Sequence, residues 1–157
     1  MTCKISDFPL TLLKLTNANK KKQFTGLGIV FYNDLQSLPI TALGSTATPK
    51  PELPISRIDT IACTLALLSD LQSPWHDGFH LININSQTLT HISQFLAPPL
   101  DHLPDDKSTR PSGARLMTAM LSSMVSGINC IGVLNTSGEI IIYKNGKASK
   151  EAALPYE

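Results

Sequence analysis

Two short stretches hold the residue types from which chemistry is built. The first is "PWHDGFHLIN", residues 74–83, where Asp77-Gly78 stands at the mouth of an apolar run with His76 and His80 on either side. A carboxylate flanked by two imidazoles can take part in a metal site or close a tight turn. The second is Ser112-Gly113-Ala114-Arg115, which precedes the run "LMTAMLSSM". Small residues at a helix start leave backbone N–H groups open, which suits a phosphate, and an arginine in the first turn adds a forked, charge-assisted contact. Each stretch also has a plain structural role: Asp-Gly pairs are common turn formers, and Arg115 can be a solvated helix residue behind a loop eased by Gly113.

The histidines allow one specific geometry. If residues 85–86 form a hairpin turn, Ile84 faces Gln87 and His80 faces His91. Two histidines on neighbouring strands could share a metal, but a third and preferably a fourth ligand is needed. His76 and Asp77 qualify only if the chain bends toward them. The competing reading makes His76, His80 and His91 surface or half-buried residues with local hydrogen bonds.

The elements that must position these residues follow from periodicity. Residues 4–24 contain Leu10, Leu12, Leu13 and Leu15, which fit helix or strand. "TGLGIVFYN", 25–33, is β-branched and aromatic and reads as a strand. Residues 34–54 hold Pro39, Pro49, Pro51 and Pro54 and read as a linker or irregular loop. Ile58, Ile61, Ala62, Leu65 and Leu68 recur at helical spacing, with Leu71 as an extension, Pro54 and Ser56 at the start and Pro74 at the end. "GFHLINI", 78–84, reads as a strand. "QTLTHISQFL", 87–96, fits strand or helix.

Residues 97–112 form a polar, proline-rich loop, and loops of this length are usually functional or mobile. Residues 113–127 read as a helix with Leu116, Met120 and Met124 on one face and Met117 and Leu121 beside them. Ser112 is its expected cap and Gly127 its end. "CIGVLNT" and "EIIIYK" bracket Ser137-Gly138 as strand, turn, strand, and Gly146 ends the second run. Residues 148–157 read as a loose tail. The fold expectation is α/β, a mixed central β-sheet flanked by helices, in one domain. Within it, residues 1–54 form an N-terminal strand and linker region and 55–147 the core.

The totals narrow the function classes. In 157 residues, 42% are hydrophobic and 16% charged, with net charge +1, an ordinary globular composition. That charge gives no electrostatic case for nucleic acid or a membrane, and the Lys20–Lys22 run reads as a solvated loop. No apolar run is long enough to span a bilayer. The N-terminus places its basic run after its apolar segment, the reverse of a secretory signal, so a cytoplasmic protein is expected. Cys3, Cys63 and Cys130 are odd in number and far apart, which argues against a disulfide framework or a zinc knuckle. Cys63 and Cys130 lie in apolar runs and are expected in the core.

The order of the pieces resembles the diadenylate cyclase family, whose members condense two ATP molecules into cyclic di-AMP. The family has Asp-Gly-Ala opening a strand, a returning strand with a Phe-Leu-Pro segment, Gly-Thr-Arg-His-Arg opening a helix, and a strand ending in Ser-Glu-Glu. This chain has "DGF" at 77–79, "FLAPP" at 95–99, "GARLM" at 113–117, "VLNTSGEI" at 133–140 and "NGK" at 145–147. The likeness covers roughly residues 55–147 and implies that 87–96 is a strand. It also implies a nucleotide between Asp77-Gly78 and the Arg115 helix start, with Mg²⁺ or Mn²⁺ on the phosphates and two domains meeting face to face.

The departures fall on catalytic positions. The family's alanine is Phe79, its threonine Ala114, its histidine Leu116 and its second arginine Met117. Ser-Glu-Glu is Leu134-Asn135-Thr136, which removes an acidic metal ligand; Asn135 can still coordinate without charge. A retained fold with altered site chemistry is the expectation. The ligand-binding candidates are Asp77, Gly78, Phe79, Gly113, Ala114 and Arg115, with Asp77 and Asn135 as metal candidates. Phe79 has two roles open, base stacking or core packing.

Three functions compete. One is a catalytically inactive, cyclase-like sensor or regulatory domain for a nucleotide or other phosphorylated small molecule, with or without homodimerisation. The second is a cyclase with a reworked site, in which His76, His80 or His102 replaces the lost histidine. The third is a protein-interaction module that uses the Met117, Met120 and Met124 face.

Overall fold

The computed structural model describes residues 7–44 and 50–152. Their order is α1 (Phe8–Asn19), β1 (Leu27–Tyr32), β2 (Ile40–Ala42), α2 (Ile58–Leu68), β3 (Phe79–Asn83), β4 (Thr88–Leu96), a single 3-10 turn (Lys107–Thr109), α3 (Ala114–Ser122), β5 (Ile128–Leu134), β6 (Glu139–Lys144) and β7 (Lys147–Ala152). The strands form one seven-stranded sheet in the order β2-β4-β3-β1-β5-β6-β7. β1 and β3 run parallel, and every other pair is antiparallel. The mixed α/β expectation holds.

Alternation along the strands sorts the core into two layers. Leu27, Ile29 and Phe31 of β1 pack with Phe8, Leu12 and Leu13 of α1 and Ile61, Ala62, Leu65 and Leu68 of α2. Val30 and Tyr32 point the other way, onto Ala119, Met120 and Leu121 of α3. α1 resolves the ambiguity of residues 4–24 within the described part. Phe8, Leu12, Leu13 and Thr16 recur at helical spacing and are buried, and the Thr16 hydroxyl donates to the Leu12 carbonyl at 2.8 Å.

Several expectations need correction. Cys63 is exposed, because α2 turns Ile61, Ala62 and Leu65 inward and leaves residue 63 outside; Cys130 is buried. Leu71 lies beyond the end of α2 and is exposed, since the chain there bridges back to Phe24. The 34–54 segment contains edge strand β2, which pairs with β4. α3 ends at Ser122, and its cap position is Gly113, with no side-chain hydrogen bond from Ser112. Residues 147–152 form β7, paired along its length with β6. Asn145 and Gly146, both at positive φ, make the two-residue turn between them, the backbone a tight hairpin needs. Met120 is buried, with Met117 and Met124 packed against the same layer, so this methionine stripe belongs to the core.

Thr88–Leu96 form a strand, as the resemblance implied, with Gln87 left in the turn at φ 55, and the register differs from the simple hairpin. Asn83↔Thr88 and Ile82↔Leu89 keep the expected pairing. It then shifts, so that Leu81 rather than His80 meets His91, and it shifts again before Phe79↔Gln94. Two bulges on β4 cause this, at Thr90 and at Ile92-Ser93, where β4 supplies an extra residue each time.

Candidate functional site

β1 and β3 run side by side, and α3 crosses the face that carries Val30 and Phe79. This arrangement brings the Asp77 loop and the Arg115 helix start to one end of the sheet. Gly78 precedes β3 with φ +80, and a Cβ there would fall 2.6 Å from the Gln94 carbonyl oxygen. Glycine meets both demands, positive φ and close approach of β4.

Arg115 reaches across the ends of β1 and β5. Its Nη1 donates to the Thr25 carbonyl oxygen at 3.2 Å, and the same nitrogen occupies the space a Cβ at Gly26 would need. Burial pulls the guanidinium pKa below its ordinary value, and the Asp77 carboxylate opposes that shift. Asp77 and Arg115, 38 positions apart in the chain, are therefore electrostatic neighbours. Asp77 itself is exposed and lies 3.4 Å from His76 Nδ1. Gly113 is the residue before the helix, with open space around it and no side-chain cap on α3. Ala114 is the first residue of the helix.

Asn135 closes the β5–β6 turn. Its N–H donates to the Glu139 carbonyl at 2.9 Å and its own carbonyl accepts from Gly138 at 3.0 Å. Because Leu134 pairs with Leu27, Asn135 stands at the Gly26 end of the sheet, on the side Arg115 reaches. Asp77 and Asn135 offer one carboxylate and one amide, which is a poor donor set for a resident hard cation. Among the described residues, no three His, Cys, Asp or Glu side chains gather as a metal cage.

Phe79 is buried, 6% exposed, and its ring lies over Gly28 so closely that a Cβ there would sit 2.5 Å from Cε1. It packs with Val30, Leu81 and Ala119 in the α3-side layer. The ring is thus spent on the core, leaving little face for a base.

His80 is buried at 1% exposure, and its Nδ1 accepts the Ser93 N–H at 3.1 Å. Burial first, and the Arg115 charge second, lower its pKa to about 4, so it is neutral at ordinary pH. That placement removes it from the surface role of a replacement histidine. His91 is occupied locally: its Nδ1 lies 2.8 Å from the Thr90 hydroxyl, which also meets the Tyr32 hydroxyl at 2.8 Å. Burial, then Lys50, lower its pKa. The bulges thus separate the two histidines that a regular hairpin would pair. His102 is exposed in the loop before the 3-10 turn.

Sequence reasoning missed Ser93, Thr25 and Gly26. A "TG" pair before a strand carries no chemical signal, and Ser93 looks like any strand serine. A groove of about 520 Å³ lies elsewhere, between α1 and the outer strands, lined by Leu10, Ile140, Ile142, Lys144 and Lys147. No helix among the described residues is long and apolar enough to cross a membrane.

No protein-family model matches the chain, and no curated protein matches it. Solved structures do. A protein from Bacillus cereus described as a hypothetical membrane spanning protein is 20% identical, with a TM-score of 0.58 over 94% of this chain and 63% of that one. The chain therefore spans less than two thirds of that protein's length. A double cysteine mutant of DacA from Staphylococcus aureus is 19% identical, with a TM-score of 0.57 over 92% of this chain and 86% of that one. At such identities the likeness is one of fold: the chain carries a mixed α/β fold similar to that of DacA.

Proposed function

We propose that this domain binds a nucleotide or other phosphorylated small molecule as a sensor or regulatory module, without condensing it. The observation that supports this most is Arg115. It is anchored on the Thr25 carbonyl beside the Asp77 carboxylate, at the open start of α3. An anion approaching Gly113 and Ala114 meets backbone N–H groups and a pre-positioned guanidinium. Asp77 supplies one carboxylate, so Mg²⁺ or Mn²⁺ would arrive on the ligand's phosphates, with Asn135 as a neutral second donor. In-line transfer between two nucleotides also needs charge stabilisation at the reacting phosphate. Leu116 and Met117 stand where the resemblance expects a histidine and an arginine. The proposed setting is cytoplasmic, and a homodimer is compatible with the role but not required by it.

A second reading draws on Phe79. Its ring fills the space over Gly28, as expected of a module that has given up its ligand and acts through protein contacts. One experiment separates the readings. Purified protein is incubated with ATP and Mg²⁺ or Mn²⁺, and both binding and products are followed by chromatography. Binding without product is the expected result. Formation of cyclic di-AMP would overturn the inactive assignment, and absence of binding to ATP and to simpler phosphates would leave the interaction module.

A further inference from the structure

The bulge on β4 holds a three-way knot. Between Phe79↔Gln94 and Leu81↔His91, β3 contributes His80 alone while β4 contributes Ile92 and Ser93. Ser93 sits at φ 50, a conformation rarely adopted by a non-glycine residue inside a strand, and it is buried. All of its hydrogen-bonding groups are engaged. Its N–H donates to His80 Nδ1 at 3.1 Å, its hydroxyl donates to the Trp75 carbonyl at 2.7 Å, and its carbonyl accepts the Leu43 N–H at 3.1 Å. Trp75 lies two residues before Asp77, and Gly78 presses against the Gln94 carbonyl on the far side of Ser93. The loop carrying Asp77 is therefore gripped at both ends by the same bulge.

We infer that Ser93 and His80 are positioning residues, which hold the Asp77–Gly78 loop at a fixed place relative to Arg115. Backbone strain persists where surrounding contacts impose it, and bulges beside functional sites re-aim neighbouring residues. Here the strained residue spends its hydroxyl on the loop rather than on its own strand. The inference rests on the proposed ligand site for its purpose, but the geometry can be tested without ligand.

The chain's single tryptophan, Trp75, reports on the loop directly. Ser93→Gly removes the hydroxyl while suiting the positive φ. The expected result is a red-shifted Trp75 emission and at least tenfold faster exchange of the Trp75 amide, which donates to Ser73 Oγ at 3.1 Å, with β1 and β5 amides unchanged. His80→Asn places an amide oxygen near the Nδ1 position and should keep the native emission, whereas His80→Leu should reproduce the Ser93→Gly shift. This pair leaves Ser93 intact, so it tests the idea even if Ser93→Gly fails to fold. A native loop in Ser93→Gly, or equal release in both His80 variants, would overturn the positioning role. ATP binding measured on the same wild-type sample separately decides the site reading.

Discussion

The Arg115 guanidinium and the Thr25 carbonyl, 90 residues apart in the chain, meet at 3.2 Å and close the end of the sheet beside Asp77. This contact gives the arginine two duties at once. One nitrogen is committed to the backbone, which fixes the fork, and the charge remains available to an anion at the helix start.

Arg115→Ala should abolish binding of ATP or any phosphorylated ligand while the domain stays folded. Loss of one half-buried, charge-assisted hydrogen bond costs about 1.5–3 kcal/mol. For a domain of this size that lowers Tm by roughly 3–12 °C. Arg115→Lys keeps the charge but loses the fork, so affinity should fall although stability barely changes. Titration calorimetry and thermal melts on both variants check this. Unchanged affinity in Arg115→Ala would remove Arg115 from the site.

Phe79 and Gly28 should behave as one packed unit. Gly28→Ala forces a Cβ against the ring and should cost about 1–3 kcal/mol. Phe79→Ala leaves a cavity and should cost about 3–5 kcal/mol. The double variant should be less destabilised than the sum, because the new methyl enters the space the ring vacates. Phe79→Ala also restores the alanine of the resembled motif, and the proposed site predicts tighter ATP binding from it. Chemical denaturation gives the coupling; additivity would mean that the two residues do not share space.

How much of this was legible depended on whether the information was local. β6 was readable because Ile140, Ile141 and Ile142 lie between clear turn residues. The 87–96 strand followed only from the resemblance, since Leu89, Ile92 and Leu96 also suit a helix. The bulges at Thr90 and Ser93 were invisible, because a bulge is a property of two strands and neither residue type announces one. β7 was missed because "KASKEA" has no apolar alternation. Its signal was the preceding Asn145-Gly146, a hairpin turn pair. In the site, Asp77-Gly78 and Arg115 stood out by type, whereas Thr25 contributes only a carbonyl that every residue has.

His80 makes stability depend on pH in a defined window. Its folded pKa, about 4, lies below its ordinary value of 6.5. The unfolded chain therefore binds the extra proton first, and stability falls as pH drops from about 6.5 toward about 4. Over that range the loss approaches ~3 kcal/mol, as an order of magnitude. Denaturant melts of wild type and His80→Leu across pH 4–7 should show a steeper wild-type slope. Parallel slopes would mean that His80 titrates normally.

The cysteines should differ sharply in reactivity. Cys63 is exposed on α2, with its thiol 3.6 Å from Asn19 Oδ1, while Cys130 is buried with a pKa raised by burial to about 12. The thiolate is the reactive form, so Cys130 should be inert in the native state. Cys3 lies outside the described residues and is best replaced by serine for this test. A thiol reagent should then label one site in native protein and two in denaturant. Rapid native labelling of Cys130 would show that its face of β5 opens.

Removal of residues 147–157 tests whether β7 is part of the fold or an appendage. β6 pairs with β5 on one side and with β7 on the other, from Glu139↔Ala152 to Lys144↔Lys147. Without β7, the isoleucine-rich β6 becomes an open edge, which is a template for pairing with other chains. β7 instead ends the sheet with Lys147, Lys150 and Glu151, and Glu151 is tied to Lys14 of α1 at 3.4 Å. That exposed ion pair adds little stability by itself. The main effect should come from lost strand pairing and the uncovered edge. The truncated chain should therefore aggregate at concentrations where the full chain stays monodisperse or forms a defined oligomer, as read by light scattering. Lys150→Glu and Lys147→Glu, which keep the strand, should not aggregate. A monodisperse truncation with an unchanged melt would show that the sheet is complete at β6.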